Sequence, residues 1–181
     1  MADDDAERFT EMFRRCHPKV LAYALRRTDE ARAHDAVAET FAAAWRHHGR
    51  LPEDPLPWLY RVAGNCLSNQ GRSARRQLRL AGRIAGEGPV LVSDPARGVA
   101  ESARIRAALR SLPDADREAL LLVSWEGLDT RSAAAVLGCS AAAFKVRLHR
   151  ARRKLAQLLE TSEPDTWELE TGLPHKAEDT P

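Results

Sequence analysis

The stretch LDTRSAAAVLGCSAAAFKVRLHRARRKLAQLL, residues 128–159, decides how the rest of the chain is read. Asp129 or Thr130 can cap a short helix, because a side-chain oxygen there accepts one of the free N–H groups of the first turn. Ala133, Ala134 and Leu137 supply the inner face of that helix, and Gly138 stops it where a left-handed residue is needed. Cys139 and Ser140 make the turn, with Ser140 as the next cap. In the longer helix that follows, Phe144, Leu148, Ala151, Leu155 and Leu158 recur at helical spacing. Lys145, Arg147, Arg150, Arg152, Arg153 and Lys154 fill the positions between them. Two helices, a tight glycine turn and a basic second helix predict a helix-turn-helix whose second helix enters a DNA major groove. The plainer reading is a solvated basic face on a surface helix. The turn chemistry, and the lack of an interleaved acid before Glu160, favour DNA binding.

A chain of 181 residues suffices for one domain or two small ones. Alanine, leucine and arginine dominate, β-branched residues are few and no period-two run occurs, so the expected class is all-α. The net charge of +2 hides an uneven layout. Asp3, Asp4, Asp5 and Glu7 make the start acidic, and Glu160, Glu163, Asp165, Glu168, Glu170, Glu178 and Asp179 do the same for the end. Two arginine clusters lie between, as suits a protein that touches nucleic acid through its middle. Cys16, Cys66 and Cys139 are odd in number and in no metal-ligand spacing. They are expected as reduced thiols of a cytoplasmic protein, Cys16 and Cys66 half-buried. The acidic start has no apolar segment, so a signal peptide is not expected. No run approaches the roughly 20 apolar residues of a membrane helix, so no membrane insertion is expected.

In chain order, residues 1–8 are expected to be a disordered acidic lead. Phe9, Met12, Phe13 and Cys16 then mark a helix face that Pro18 interrupts or kinks and that Val20, Leu21, Ala24 and Leu25 continue. Thr28 and Asp29 offer a break and a cap before a helix from about Ala31 to His48. Val37, Phe41, Ala44 and Trp45 form its inner stripe, Asp35, Glu39, Arg46 and His47 lie outside or at the edges, and Gly49 ends it. RLPEDPLP (50–57) is a loop, with Pro57 opening a helix to about Arg76. That helix turns Trp58, Leu59, Val62, Cys66 and Leu67 inward, then becomes polar and basic. Its Gly64 and Gly71 predict that something approaches the backbone closely.

Residues 81–99 are rich in glycine and proline and are expected as a flexible linker, in which Val90, Leu91 and Val92 form a short strand or, the favoured reading, an extended segment that docks on a partner. They divide a helical domain (9–80) from a second one (100–160). There a helix from about Ala100 to Arg110 ends at Leu112 and Pro113, and Asp114 caps another whose Leu120, Leu121 and Val123 meet Ile105 and Leu109. The helix-turn-helix completes this domain. Residues 161–181 are acidic and breaker-rich, expected to be mobile with Trp167 and Leu169 as the only anchors. Trp45 and Trp58 are assigned to the core, and Trp125 to closing the C-terminal one. His47 and His48 point about 100° apart around a helix and His34 lies more than three turns away, so all three are read as surface residues.

Four pieces in order, HDAVAETFAAAWRH (34–47), PWLYRVAGNCLSNQGRSARR (57–76), LPDADREALLLVSWEGLD (112–129) and LGCSAAAFKVRLHRARRKL (137–155), resemble the bacterial sigma factors of the extracytoplasmic-function (ECF) group. Each piece alone is weak; all four in this order are specific, and the likeness covers roughly residues 9–80 and 100–159. It implies an all-α protein of two small domains, sigma region 2 and sigma region 4, acting as the specificity subunit of RNA polymerase with no catalytic site or cofactor of its own. By this resemblance Asp35, Glu39, Thr40, Phe41 and Arg46 belong to the helix that docks on the clamp helices of the largest polymerase subunit. The flap of the second-largest subunit is a further contact. Trp58, Arg61, Asn65, Asn69, Gln70, Arg72, Arg75 and Arg76 fall in the segment that holds the minus-ten element, where a non-template base is flipped. Ser140, Lys145, Val146, Arg147, His149, Arg150 and Arg153 fall where the minus-thirty-five element is read, and the linker threads toward the RNA exit path. An anti-sigma factor is a possible partner.

The chemistry of the residues agrees. Amides can bond unpaired base edges while arginines hold phosphates, which is what capturing a melted strand requires. Lys145 or Arg150 can read guanine, and neutralising about six phosphates gives a log–log salt slope of about −5. The chain departs from the family pattern at Asn69, where an aspartate is common, and at His34, Ala36 and Ala38 in the docking helix. It departs again at Ala143, Phe144 and Val146 in the recognition helix, so the promoter sequence stays open. No Ser-His-Asp order, phosphate loop or paired-carboxylate motif points to an enzyme. The alternatives are a stand-alone helix-turn-helix regulator, which binds duplex DNA unaided, and a purely protein-binding helical module. A last expectation is that the two domains close on each other or on an anti-sigma partner and hide both DNA-binding faces.

Overall fold

The computed structural model describes residues 2–80 and 99–161, with side chains over 5–73 and 103–161. The extended segment at Val90–Val92 and the tail anchors Trp167 and Leu169 lie outside these residues, as does the expected linker up to residue 98. Everything regular among the described residues is helical. The elements are α1 (Ala2–Leu25), α2 (Glu30–Arg46), a 3-10 turn (His48–Arg50), α3 (Leu56–Leu80), α4 (Val99–Arg110), α5 (Asp114–Ser124), α6 (Thr130–Leu137) and α7 (Ala141–Glu160).

Helices α1, α2 and α3 pack together around Val20, Tyr23, Ala33, Val37, Phe41, Leu59 and Tyr60, all buried. Alanines at the contacts let the helices come close, and the Phe13 and Phe41 rings meet edge-on at 4.7 Å between centroids. Helix α7 lies on α4, α5 and α6 around Leu109, Leu112, Leu120, Leu121, Leu122, Phe144 and Leu148. Phe144 is wholly buried and stands at the centre of this second group. Helix α3 also packs on α6, so the apolar interiors of the two halves run together.

Several expectations are corrected. The acidic start is not disordered from residue 2 onward but forms the first turns of α1. Carboxylates at a helix N-terminus face the positive end of the macrodipole, which favours that extension. Pro18 does not interrupt α1; it faces solvent, so its missing N–H removes one bond without leaving a buried orphan. Helix α2 stops at Arg46, and Gly49 lies in the 3-10 turn after it. Asp114 is not a cap: Pro113 holds that position, and the Asp114 carboxylate instead accepts from Arg117 one turn on. Cys16 is fully buried rather than half-buried; Cys66 is half-buried as expected.

Trp45 and Trp125 are not core residues, being 47% and 37% exposed. Trp45 sits at the edge of the α2 stripe, where Ala44 takes the inner place, and it leans on Phe9 (4.9 Å) and His48 (5.3 Å). Trp125 falls just past the end of α5, and Leu122 fills the core in its stead, while Val123 is only half-buried. Trp58 is half-buried against the core.

Candidate nucleic-acid interface

The helix-turn-helix forms with the local chemistry its sequence dictates. The Asp129 carboxylate accepts from the Ser132 N–H at 2.7 Å and caps α6. The hydrogen bonds from Ser132, its backbone N–H first, outweigh a smaller opposing desolvation and hold the Asp129 carboxyl below the usual range. Gly138 ends α6 with φ of 64°, a left-handed geometry that any side chain would strain. Ser140 then caps α7, its hydroxyl accepting from the Ala143 N–H at 3.1 Å.

Helix α7 buries Phe144, Leu148 and Ala151 and turns the opposite face outward. Of the residues expected there, Ser140, Lys145, Val146, His149, Arg150 and Arg153 are exposed and Arg147 is half-exposed. Val146, 58% exposed, is an apolar group held in water by helix phase alone. Lys145, Arg147, Arg150, Arg152 and Arg153 form no ion pair among the described residues; Lys154 is paired with Asp116 at 3.6 Å. Among the described residues this face therefore keeps its positive charge uncompensated, as an external anion would need.

A second polar strip runs along α3. Arg61, Asn65, Asn69 and Arg72 are exposed, the Asn69 amide oxygen accepting from Arg72. Trp58 and Gln70 are half-buried, and the buried Gln70 side-chain oxygen has no hydrogen-bond partner. Arg75 and Arg76 lie on α3, but their side chains are outside the described residues. Trp58 comes within 6.1 Å of the His47 ring, ahead of the loop that precedes α3.

On α2, Asp35, Glu39 and Arg46 face solvent, but Thr40 and Phe41 do not. Thr40 is wholly buried, its hydroxyl donating to the Ala36 carbonyl at 2.6 Å, and Phe41 is 5% exposed. These two cannot present side chains to a partner; they seat the helix that presents the other three. Glu39 also reaches the Cys66 thiol, which burial first and this carboxylate second push upward in pKa.

One polar cluster has no counterpart in the sequence reading. The Tyr23 hydroxyl donates to Glu118 (3.0 Å), Arg27 binds Glu118 (2.9 Å) and Glu126 (3.1 Å), and Arg26 binds Glu126. The Arg27 guanidinium lies 3.5 Å from the Tyr23 ring centroid. Its partners are 91 to 99 residues away in sequence, which is why no local pattern reveals it. Burial, then the Glu118 charge, raises the Tyr23 pKa well above its ordinary value. Burial alone would lower Arg27, but Tyr23, Glu118 and Glu126 outweigh it and hold the guanidinium charged. Gly64, flagged by the sequence, explains itself here: a Cβ at that position would sit 2.9 Å from the Tyr23 hydroxyl oxygen. Gly71 has nothing within 4 Å, so no close approach occurs there.

The two halves thus close on each other, yet the outward face of α7 stays in solvent, contrary to the expectation that closure hides both DNA-binding faces. No helix among the described residues is long and apolar enough to cross a membrane.

Residues 12–77 match the family model described as Sigma-70 region 2, and residues 102–155 match that of Sigma-70, region 4. The chain is 36% identical over 172 residues to the RNA polymerase sigma factor NccH of Alcaligenes xylosoxydans xylosoxydans, covering 90% of this chain and 92% of that protein. It is 37% identical over 147 residues to the ECF RNA polymerase sigma factor EcfG of Rhodopseudomonas palustris (strain TIE-1), covering 78% and 80%. Among solved structures, CnrH in complex with the cytosolic domain of CnrY superposes with a TM-score of 0.61 at 29% identity, over 86% of this chain and 89% of that one. The sigma factor RpoE in complex with the anti-sigma factor NepR from Bartonella quintana gives a TM-score of 0.71 at 24% identity, over 87% and 99%, a likeness of fold.

Proposed function

The chain belongs to the ECF RNA polymerase sigma factors, and from that premise we propose that α7 and α3 are its two promoter-reading faces and the outer side of α2 its polymerase dock. As a sigma factor it directs RNA polymerase to promoters. Residues 9–80 act as the region 2 domain and 100–160 as the region 4 domain. Lys145 and Arg150 read base edges of the minus-thirty-five element, with His149 beside them and Val146 offering an apolar contact of the kind a thymine methyl makes. Ser140, Arg147 and Arg153 hold phosphates. On α3, Asn65, Asn69 and Gln70 bond the unpaired bases of the minus-ten element, Trp58 lines the pocket, and Arg61, Arg72, Arg75 and Arg76 hold the strand. Asp35, Glu39 and Arg46 contact the polymerase clamp, Thr40 and Phe41 acting from beneath. The flap of the second-largest subunit receives the region 4 domain.

Two relatives were solved bound to partners, one to the cytosolic domain of CnrY and one to the anti-sigma factor NepR. An anti-sigma factor is accordingly a partner we propose here too. The chain supplies specificity and no catalysis of its own, and it works where the polymerase is, in the cytoplasm.

The observation that carries this reading is the outward face of α7, five cations without an ion-pair partner among the described residues, on a helix whose other side is fixed in a core. It is tested by run-off transcription with core polymerase on promoters mutated one base pair at a time. Lys145→Ala or Arg150→Ala should relax the preference at one or two minus-thirty-five positions, each by about 1–3 kcal/mol of discrimination. Asn65→Ala or Asn69→Ala should leave those positions untouched and impair opening. If all four variants lower transcription uniformly on every promoter, the residue roles are wrong.

A further inference from the structure

The outward face of α7 is not evenly charged. Its first turn presents Ala141, Ala142 and Ala143 to solvent, and Val146 follows at 58% exposure, more than Trp45 or Trp125. At 100° per residue Ala142 and Val146 stand about 40° apart, on the side opposite the buried Phe144, Leu148 and Ala151. They therefore occupy the midline of the exposed face. Lys145 lies about 80° to one side of that midline and Arg150 about 60° to the other. A lone exposed valine is ordinary on a protein surface. A valine one turn from an exposed alanine, flanked by cations at the end of a recognition helix that meets base edges, is placed for contact.

We propose that Ala142 and Val146 form an apolar slot for the C5-methyl group of a pyrimidine in the minus-thirty-five element, so that the chain accepts 5-methylcytosine there as it accepts thymine. The inference rests on α7 being the minus-thirty-five face and adds to it what the middle of that face senses. Neither side chain can donate or accept a hydrogen bond, so the pair does not distinguish the thymine O4 from the cytosine amine. What remains to be sensed in the major groove is the methyl. Side chains four apart on a helix have Cβ atoms about 5–6 Å apart, a gap over which one methyl touches both. Seating it there removes apolar surface of both partners from water and buries no polar group of the protein. The flanking cations set where the slot sits. Arg150 is about 6 Å along the helix axis from Val146, so a guanine it reads lies within about two base-pair steps of 3.4 Å. The recognised feature is thus a methylated pyrimidine close to a guanine. Cytosine-5 methylation at that step raises the strength of the promoter.

The test is run-off transcription by the full-length chain with core polymerase, below saturation, on a promoter it uses whose minus-thirty-five element is synthesised base by base. Deoxyuridine in place of each thymine removes the methyl and nothing else, and 5-methylcytosine in place of each cytosine adds it. At one or two positions deoxyuridine should lower transcription about fourfold, the worth of one buried methyl group. With cytosine at such a position, its 5-methyl form should raise transcription by a similar factor. Val146→Ser should abolish both differences, while the penalty for replacing the guanine read by Lys145 or Arg150 persists. Equal transcription from thymine and deoxyuridine, and from cytosine and 5-methylcytosine, at every position of the wild-type assay overturns the slot without any variant being needed. So does a methyl preference that survives in Val146→Ser while transcription falls equally on all templates, which makes Val146 a polymerase contact instead. If no base-pair change anywhere in the element alters transcription, α7 is not the promoter face, and the reading beneath this one fails with it.

Discussion

Two glycines in one helix give opposite answers to the same substitution. At Gly71 nothing lies within 4 Å of a new Cβ, so alanine adds helix propensity at no steric cost. Stability should rise by about 0.5–1 kcal/mol. At Gly64 the same methyl would stand 2.9 Å from the Tyr23 hydroxyl oxygen, about 0.5 Å inside ordinary contact distance. Tyr23 cannot swing away: it is 2% exposed, stacked on Tyr60 at 4.8 Å, and covered by the Arg27 guanidinium. Its hydroxyl must instead retreat from Glu118. Losing that bond to a charged acceptor costs about 1.5–3 kcal/mol, and crowding a full core adds about 1 or more. Against a propensity gain of about 1 kcal/mol, Gly64→Ala should destabilise by about 2 kcal/mol. Urea unfolding of each variant, followed by far-ultraviolet circular dichroism, reads the difference as a change of midpoint at constant slope. In a Tyr23→Phe background, where the hydroxyl is gone, the Gly64→Ala penalty should largely vanish. If Gly64→Ala stabilises the chain as much as Gly71→Ala does, Tyr23 is not wedged between α3 and Glu118 and the reasoning fails.

Other consequences are equally direct. Phe144→Ala empties the centre of the C-terminal core and should cost about 3–5 kcal/mol, read by thermal unfolding and by loss of promoter-specific transcription together. Ser140→Ala removes the α7 cap and should cost about 1 kcal/mol, with Ser140→Asp recovering most of it. Burial, then the Glu126 charge, pushes the Tyr60 hydroxyl up to about 12. A raised folded-state value means stability that is complete below about pH 10 and lost between 10 and 12. The melting temperature should therefore fall over that range by less in Tyr60→Phe than in the wild type. Asp129 has the opposite sign: its lowered value gives a contribution present above about pH 4 and lost on acidification, absent in Asp129→Asn.

What could be read from the chain alone was local. The caps at Asp129 and Ser140, the left-handed Gly138 and the apolar spacing from Phe144 to Ala151 each depend on neighbours within a turn or two, and the structure has them as expected. The all-helical class follows from the same local patterns. What could not be read was set by distance or by phase. The Tyr23, Arg27 and Glu118 contact joins residues 91 to 95 apart, and charge on a helix end does not announce its partner. Trp45 is placed inside by its hydrophobicity and outside by the angle of α2, which gives Ala44 the buried position. Thr40 shows the same division among the expected site residues: its place in a family pattern marks the docking helix, but the hydroxyl is spent on the Ala36 carbonyl. Asp35, Glu39 and Arg46 are what that helix has left to offer. The acidic start became helix because its charges suit a helix N-terminus, a gain that composition-based expectation of disorder leaves out.

The most direct test of the whole account is template-strand transcription by purified core polymerase, with and without this chain, alongside footprinting of the same promoters by the chain alone. Two separate faces riding on the polymerase should yield a discrete start site only when both proteins are present, with little protection of duplex DNA by the chain unaided. A strong footprint on a single site by the chain alone, with no transcript from any promoter when core enzyme is added, would contradict it.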